Sequence, residues 1–262
     1  MTMATDLERM LKQGFYSVGA YDADILYIYT DFRSLGAHAA SYPSKNEFCK
    51  AVVSPLLISG KTIVLTTFTY TSQGIFNVNG TPTKLGAMNK WILDQPDHVR
   101  SEHPIFSYAA LGPAAKLLNG IGKSAFGYDS VFHRLRGKRA AFLHIGRPVS
   151  LGNTALHHIE HLCGATYRAH KAFRTEVFRG EQYIGTDYTA FLRRRDVPEE
   201  SFEFDFSRPA AALGEKGLIR EVGSAQELRN ISFYWYDDTI DFLADMFNDN
   251  QRIFIKSDYI SY

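Results

Sequence analysis

The 262-residue sequence is poor in cysteine and has no excess of charge of either sign. Its two cysteines, Cys49 and Cys163, share no metal-ligand spacing and stand in segments whose patterns predict helices. We therefore expect reduced thiols in or near the core rather than a disulfide. The 29 basic and 28 acidic residues leave a formal net charge of +1. Bulk charge gives no reason to expect a nucleic-acid partner or an anionic membrane surface.

Long hydrophobic runs are also missing. No apolar run approaches the roughly 18 residues of a membrane-spanning helix, and residues 1–15 lack the apolar core of a signal peptide. There is no internal repeat and no Pro/Ser-rich linker. These absences predict a cytoplasmic protein with a single domain over residues 1–262, and 45% hydrophobic residues are enough to build its core.

The predicted fold class is α/β. Compact apolar segments rich in β-branched residues predict three buried strands, at residues 24–30, 62–70 and 139–146. Between the first two, Ser44 and Glu47 have capping-box spacing ahead of a helical run at residues 48–58. A strand–helix–strand order predicts a parallel strand pair. We therefore expect a central, mostly parallel or mixed sheet flanked by helices.

The other segments give shorter predictions. Residues 71–83 predict a long loop of the kind that compact domains keep for binding. The remaining predictions are a short helix at 84–94, an irregular segment at 96–104, a helix at 109–118, an irregular and strand-like run at 173–206, and an apolar helix at 238–247. A further helix follows the third strand, at the carboxyl end of the sheet, where α/β proteins place ligands.

That helix carries the densest cluster of reactive side chains. Residues 153–161, NTALHHIEH, hold three histidines and one glutamate. On a helix, His157, Glu160 and His161 share one face. The three match H-x-x-E-H, the inverted zinc-protease motif, which would need a third zinc ligand from elsewhere. Alternatively, His157 is a metal-free general base that Glu160 holds in place.

Four blocks of sequence carry a family resemblance. Residues 31–36, DFRSLG, resemble H-S-S-L-x-x-x-G, with Asp31 in place of the histidine and a shorter spacing to the glycine. Residues 66–70, TTFTY, match P-T-F-T-Y except at Thr66. Residues 100–107 match R-S-x-H-P-x-x-S, and residues 153–160 match N-T-x-x-H-x-x-E. In order and spacing, the chain resembles the aminoglycoside 3-N-acetyltransferase family, also called the antibiotic N-acetyltransferases, whose fold is unrelated to that of the GNAT acyltransferases.

The resemblance implies an acyl-CoA-dependent N-acyltransferase that moves an acetyl group, or another acyl group, from CoA to a primary amine without a covalent enzyme intermediate. In such an enzyme His157 would be the general base, and Glu160 would bind its other ring nitrogen and stabilise the imidazolium. Backbone amides near Ser34, or a hydroxyl within residues 66–69, would stabilise the oxyanion. His158 and His161 are expected to be structural or to face solvent, and no metal is expected.

The resemblance also implies binding residues. The cofactor-binding candidates lie in the first three blocks and are Arg33, Ser34, Leu35, Thr67, Arg100, Ser101, His103 and Ser107. Arg33 and Arg100 are the expected partners of the CoA phosphates, whereas His103 also fits a structural role in its loop. The substrate-binding candidates are Tyr70 and Asn153.

The sequence leaves the amine acceptor open. Aminoglycosides are polycations that call for an acidic cleft, whereas this chain is near neutral and holds a basic run at residues 193–195. We therefore favour a nucleotide-linked amino sugar with a single amine over an aminoglycoside antibiotic. Such a sugar would be a precursor of a surface polysaccharide. Four residues could still make a cleft acidic: Asp187, Glu199, Glu200 and Glu203. The sequence also leaves two other functions open, a zinc hydrolase and a non-catalytic binding module. The protein could form a homodimer.

Overall fold

The computed structural model describes residues 3–33, 35–194, 196, 203–223 and 230–256. Within these ranges the helices are α1 (Met3–Val18), α2 (Gly36–Ala39), α3 (Lys45–Ile58), α4 (Ala87–Trp91), α5 (Val131–Leu135), α6 (Leu156–Leu162), α7 (Ser207–Glu215) and α8 (Tyr236–Asp249). The strands are β1 (Ile25–Thr30), β2 (Thr62–Thr66), β3 (Gln73–Asn77), β4 (Val99–Arg100), β5 (Tyr108–Leu111), β6 (Ala140–Ile145), β7 (Arg168–Ala172), β8 (Arg174–Arg179), β9 (Gln182–Gly185), β10 (Thr189–Arg193), β11 (Arg220–Val222) and β12 (Ile231–Trp235).

The central sheet has seven strands in the order β11-β12-β6-β1-β2-β5-β4. In its middle, β1 runs parallel to both β2 and β6, whereas the outer strands pair antiparallel. The three parallel strands are continuous apolar runs because helices cover both of their faces. The predicted α/β class and the parallel pair are therefore confirmed.

Side chains of β1 alternate between the two faces of the sheet, as in any strand. Leu26 and Ile28 pack in a core with residues of α1 and α3. Ile25 and Tyr27 pack in the opposite core, which includes residues of α5, α6 and α8. The helix that carries the histidine cluster thus covers one face of the sheet.

Two smaller sheets accompany the central one, with strand orders β3-β8-β9 and β10-β7. The prediction of a plain loop over residues 71–83 is wrong, because residues 73–77 form β3 and pair in parallel with β8. The partner strand lies far along the chain, so the local pattern did not show the pairing.

The prediction of a helix over residues 109–118 is also wrong. Residues 108–111 form β5, which pairs antiparallel with β2, and residues 115–118 form a single 3-10 turn. The alanines in this segment favour a helix in isolation, but the buried pairing with β2 overrides that weak preference. The second predicted strand is shorter than expected, since β2 ends at Thr66.

Other local predictions are confirmed. The Ser44 hydroxyl accepts a hydrogen bond from the Glu47 amide, 3.2 Å away, and caps α3. Cys49 and Cys163 are free thiols. Across the described ranges, no helix combines the length and the apolar character needed to cross a membrane. Helices α1 and α7 and strand β12 were not predicted.

Candidate active site

Helix α6 starts above the carboxyl end of the parallel strands because polar side chains hold its first turn there. The Thr154 amide donates to the Tyr29 hydroxyl at 3.1 Å, and Tyr29 stands near the end of β1. The Asn153 side chain donates to the Tyr234 hydroxyl at 3.0 Å and accepts from the Ala155 amide at 2.8 Å. Asn153, predicted to bind substrate, is thus bonded to protein groups through both side-chain atoms.

His157 and Glu160 form a close pair on α6, as their spacing predicted. The imidazole Nδ1 lies 2.7 Å from Glu160 Oε2. The glutamate side chain is completely buried, whereas the histidine side chain is 22% exposed. The imidazole also packs against Phe126 and Phe204, with ring centroids 5.2 and 5.5 Å away. The carboxylate therefore orients one nitrogen of a ring that solvent still reaches.

The end of α6 returns the chain to this pair. Gly164 adopts a left-handed conformation with φ of 66°, which glycine allows without strain. The Gly164 amide bonds to the carbonyl of His161, and the Ala165 amide bonds to the carbonyl of Glu160. These two bonds make a Schellman motif, which ends the helix and reverses the chain. As a result, β7 begins beside the side chains of α6.

The reversal brings two residues to Glu160 that the sequence did not single out. The Tyr167 hydroxyl donates to Glu160 Oε1 at 2.8 Å. Arg168 Nε lies 2.8 Å from Glu160 Oε2, and its Nη2 lies 3.0 Å from His157 Nδ1. Both residues follow the predicted helix in the sequence. Their contact with Glu160 could be predicted only by also predicting the turn at Gly164.

The environment of His157 favours the neutral imidazole. Burial lowers the pKa of His157 the most, and the nearby Arg168 cation lowers it further, while Glu160 acts in the opposite direction. A neutral imidazole can accept a proton, as a general base must. The site can therefore take a proton from a bound group without a metal ion.

Arg100, predicted to bind a CoA phosphate, lies inside the protein and is 2% exposed. Its guanidinium donates to the carbonyls of Val78, Thr81 and Thr67 and to the Ser107 hydroxyl, and lies 5.0 Å from the centre of the Phe76 ring. Burial lowers the pKa of Arg100 to about 10. These contacts join β4 to the loops on either side of β3.

Three other predicted cofactor residues are completely buried close to Arg100. Thr67 and Ser107 share a 3.1 Å bond between their hydroxyls, and the Ser107 hydroxyl donates to the Thr67 carbonyl. The Ser101 hydroxyl accepts from the Tyr108 amide at 2.8 Å. The structure brings these residues together as a hydrogen-bonded frame beside the ends of β2 and β5.

His103 belongs to the same frame and is 1% exposed. Its Nδ1 accepts from the amides of Ile105 and Phe106, at 3.2 and 3.1 Å, and its Nε2 lies 3.0 Å from the Thr189 carbonyl. Burial lowers the pKa of His103 to about 4. This neutral, fully bonded ring has the contacts of a structural residue, which was one of the two roles considered for it.

The other residues predicted to bind cofactor or substrate lie apart from one another. Arg33 is 89% exposed, pairs with Asp31 at 2.6 Å and borders a cleft of about 380 Å³ at the ends of β1 and β2, which Thr66 and Arg147 also line. Leu35 is buried in the core on the α1 side of the sheet. Tyr70 is half exposed and has a positive φ of 54°. Ser34 lies outside the described residues.

The contacts of the other histidines bear on the zinc alternative. His161 packs against His170 and Phe191, and His158 Nδ1 bonds to the Phe126 carbonyl at 2.6 Å. The Arg168 guanidinium stands against His157 Nδ1, where a second cation would be repelled. Among the residues that the structure describes, no three His, Cys, Asp or Glu side chains group as metal ligands.

The fold and this site define an α/β protein with a histidine–carboxylate pair at the carboxyl edge of a mixed sheet. The family model for aminoglycoside 3-N-acetyltransferase matches residues 63–247, and the chain belongs to that family. The resemblance read from the four sequence blocks is therefore confirmed.

Individual relatives agree with the family assignment. Aminoglycoside N(3)-acetyltransferase IX of Micromonospora chalcea is 26% identical over 159 residues, which span 58% of this chain and 53% of the relative. The chain thus spans about half the length of the curated relative it matches. The apoenzyme structure of aminoglycoside acetyltransferase AAC(3)-IVa has a TM-score of 0.72 and 19% identity, over 95% of this chain and 91% of that one. AAC-IIIb in a binary complex with CoASH has a TM-score of 0.72 and 16% identity, over 92% and 96%. These structures share the fold.

Proposed function

We propose that the protein is an N-acetyltransferase that moves the acetyl group of acetyl-CoA to a primary amine of an amino sugar. The observation that carries the proposal is the His157–Glu160 pair, held at the carboxyl edge of the sheet in a member of this family. The solved relative bound to CoASH supports the choice of donor.

The proposed reaction is a direct attack. An alkylammonium group has no free electron pair, so it first loses one proton to solvent, and His157 accepts a second proton as the amine nitrogen attacks the thioester carbonyl. The C–N bond forms, the C–S bond breaks, and the imidazolium passes its proton to the sulfur, so that CoA leaves as the thiol. Glu160 stabilises the imidazolium through Nδ1, as the carboxylate does in a catalytic triad, except that the substrate supplies the nucleophile.

One threonine hydroxyl at the end of β2 stands out as a donor for the oxyanion. The Thr67 hydroxyl is engaged with Ser107, and the Thr69 hydroxyl donates to the Pro104 carbonyl. The Thr66 hydroxyl instead accepts from Asn89 at 2.9 Å and borders the cleft beside Arg33. It can therefore donate its own proton into the cleft.

We also propose that this cleft receives part of the CoA chain. Arg33 and Arg147 both line it, and guanidinium groups suit phosphate oxygens. The buried frame of Thr67, Arg100, Ser101, His103 and Ser107 then supports the cleft from behind by fixing the loop that follows β2.

The acceptor we favour is an amino sugar that carries a diphosphate and a nucleotide. Of the four acidic residues that could attract a polycation, Glu203 is paired with Lys256 at 2.5 Å and Asp187 is exposed, while Glu199 and Glu200 lie outside the described residues. The near-neutral total charge points the same way. The second candidate acceptor is an aminoglycoside, favoured by the names of the family and of its relatives.

The test is a transfer assay with purified protein, acetyl-CoA and either a nucleotide-linked amino sugar or an aminoglycoside. Release of CoA thiol that requires both substrates, with one acetylated amine per thiol, supports the proposal. The more efficiently used acceptor decides between the two candidates. Bound acetyl-CoA without transfer to any amine would favour the non-catalytic alternative.

A further inference from the structure

Arg168 is a buried cation in direct contact with both members of the proposed catalytic pair. Its side chain is 3% exposed. Nη1 donates to the Phe191 carbonyl at 3.1 Å, and the guanidinium carbon lies 5.7 Å from the centre of the Phe204 ring. Burying a cation is costly unless it is well paired, and here the partner is the completely buried carboxylate of Glu160.

Arg168 and Glu160 compete for the same nitrogen. Glu160 Oε2 lies 2.7 Å from His157 Nδ1, and Arg168 Nη2 lies 3.0 Å from it. A protonated Nδ1 donates to Glu160, whereas a bare Nδ1 accepts from Arg168. A neutral ring carries one proton, so only the first arrangement leaves a lone pair on Nε2 to accept a proton from an amine.

We propose that Arg168 is a positioning residue for the proposed transfer. It holds the Glu160 carboxylate against His157 and keeps the imidazole uncharged between turnovers. Without the guanidinium, the Glu160 carboxylate would favour the imidazolium more strongly, and a protonated His157 cannot act as a base. With it, the extra positive charge favours release of the proton after each turnover. This inference rests on the proposed function.

The charges that act on His157 come from two elements. Glu160 lies on the same helix and Arg168 lies on β7, while the packed rings of Phe126 and Phe204 carry no charge. The burial of His157 and the Arg168 cation both lower the pKa of its imidazole. Removing the guanidinium should therefore raise that pKa.

The first test compares the pH profiles of kcat/KM for Arg168→Met and Arg168→Lys. We expect the acid limb of Arg168→Met to move to higher pH by about one unit or more. Arg168→Lys keeps a positive charge, so its limb should stay near that of the wild type, although kcat falls because one ammonium cannot bridge both partners. Arg9→Met, which removes an exposed arginine paired on α1, is the control and should leave the profile unchanged.

A lower kcat for Arg168→Met with an unmoved acid limb would overturn the proposal and leave Arg168 a purely structural role. If Arg168→Met does not fold, ¹⁵N-histidine NMR of the wild type and of Arg168→Gln still decides. His157, assigned by the signal lost in His157→Gln, should titrate below 6.5, its ordinary pKa, in the wild type and at a higher pH in Arg168→Gln. The same titration midpoint in both proteins would also overturn the proposal. The NMR measurement needs no turnover. A failure of the proposed acetyl transfer would instead be seen in the transfer assay.

Discussion

His157 and His103 come from neighbouring blocks of the same motif set, yet their imidazoles have opposite surroundings. At His103 both nitrogens bond to the backbone, and two amide N–H groups point at Nδ1. At His157 one nitrogen meets a carboxylate and a guanidinium, and the ring is partly open to solvent. Protonating Nδ1 of His103 would break its hydrogen bonds with two amide N–H groups, whereas protonating His157 creates an ion pair with Glu160. Burial lowers the pKa of both histidines, and the partners of each ring decide what its protonation would cost or create.

The largest effect should come from removing the proposed base. We expect His157→Gln to lower kcat by about 10²–10⁴-fold, the usual contribution of general base catalysis. The Kd for acetyl-CoA should change little, because His157 is assigned to the amine. Steady-state kinetics and calorimetric titration measure the two quantities. His133→Gln, at an exposed position on α5, is the matched control. Equal losses in both variants would remove the distinction between His157 and the other histidines.

Glu160→Gln should have the next largest effect, of about 100-fold on kcat. The amide keeps the shape but cannot stabilise the imidazolium, and it leaves the Arg168 cation buried without its counter-charge. We therefore also expect the free energy of unfolding to fall by about 3 kcal/mol in chemical denaturation. Wild-type kcat in a destabilised variant would assign Glu160 to the structure alone.

His103→Asn should produce the reverse pattern. The shorter side chain cannot satisfy two amides and a distant carbonyl, so we expect the free energy of unfolding to fall by about 2–3 kcal/mol. The kcat of the folded fraction should remain within about threefold of the wild-type value. Denaturation curves and active-fraction kinetics check both parts. A loss of kcat as large as that of His157→Gln would contradict the contrast between the two histidines.

The last prediction changes no residue and concerns the pH dependence of stability in the wild type. His103 has a folded pKa of about 4, below the 6.5 expected in the unfolded chain, so the unfolded state binds more protons between these values. Its contribution of about 3 kcal/mol is fully present above pH 6.5 and is lost as the pH falls toward 4. The slope of the unfolding free energy against pH should be shallower in His103→Asn. An identical slope would mean that His103 does not titrate as its contacts imply.

Much of the site could be predicted from the sequence because its information is local. The i,i+3 spacing of His157 and Glu160 fixes their contact once α6 forms, and the apolar runs of β1 and β6 place that helix at the carboxyl edge of the sheet. The capping serine of α3 is local in the same way. Such features depend on residues within one turn or one strand.

Features that depend on distant pairing could not be predicted. Tyr108–Leu111 favours a helix by composition and becomes strand β5 only because β2 is there to pair with it. Arg168 reaches Glu160 only through the turn at Gly164. The carbonyl partners of Arg100 come from the two loops on either side of β3, so its own sequence block could not show that its guanidinium is bonded on all sides.

The most direct test of the central claim is to measure acetylated amine and released CoA together, by mass spectrometry and thiol titration, for the wild type and His157→Gln. The account predicts one acetylated amine per CoA in the wild type, and loss of both products in the variant while acetyl-CoA still binds. Undiminished transfer by His157→Gln would contradict it.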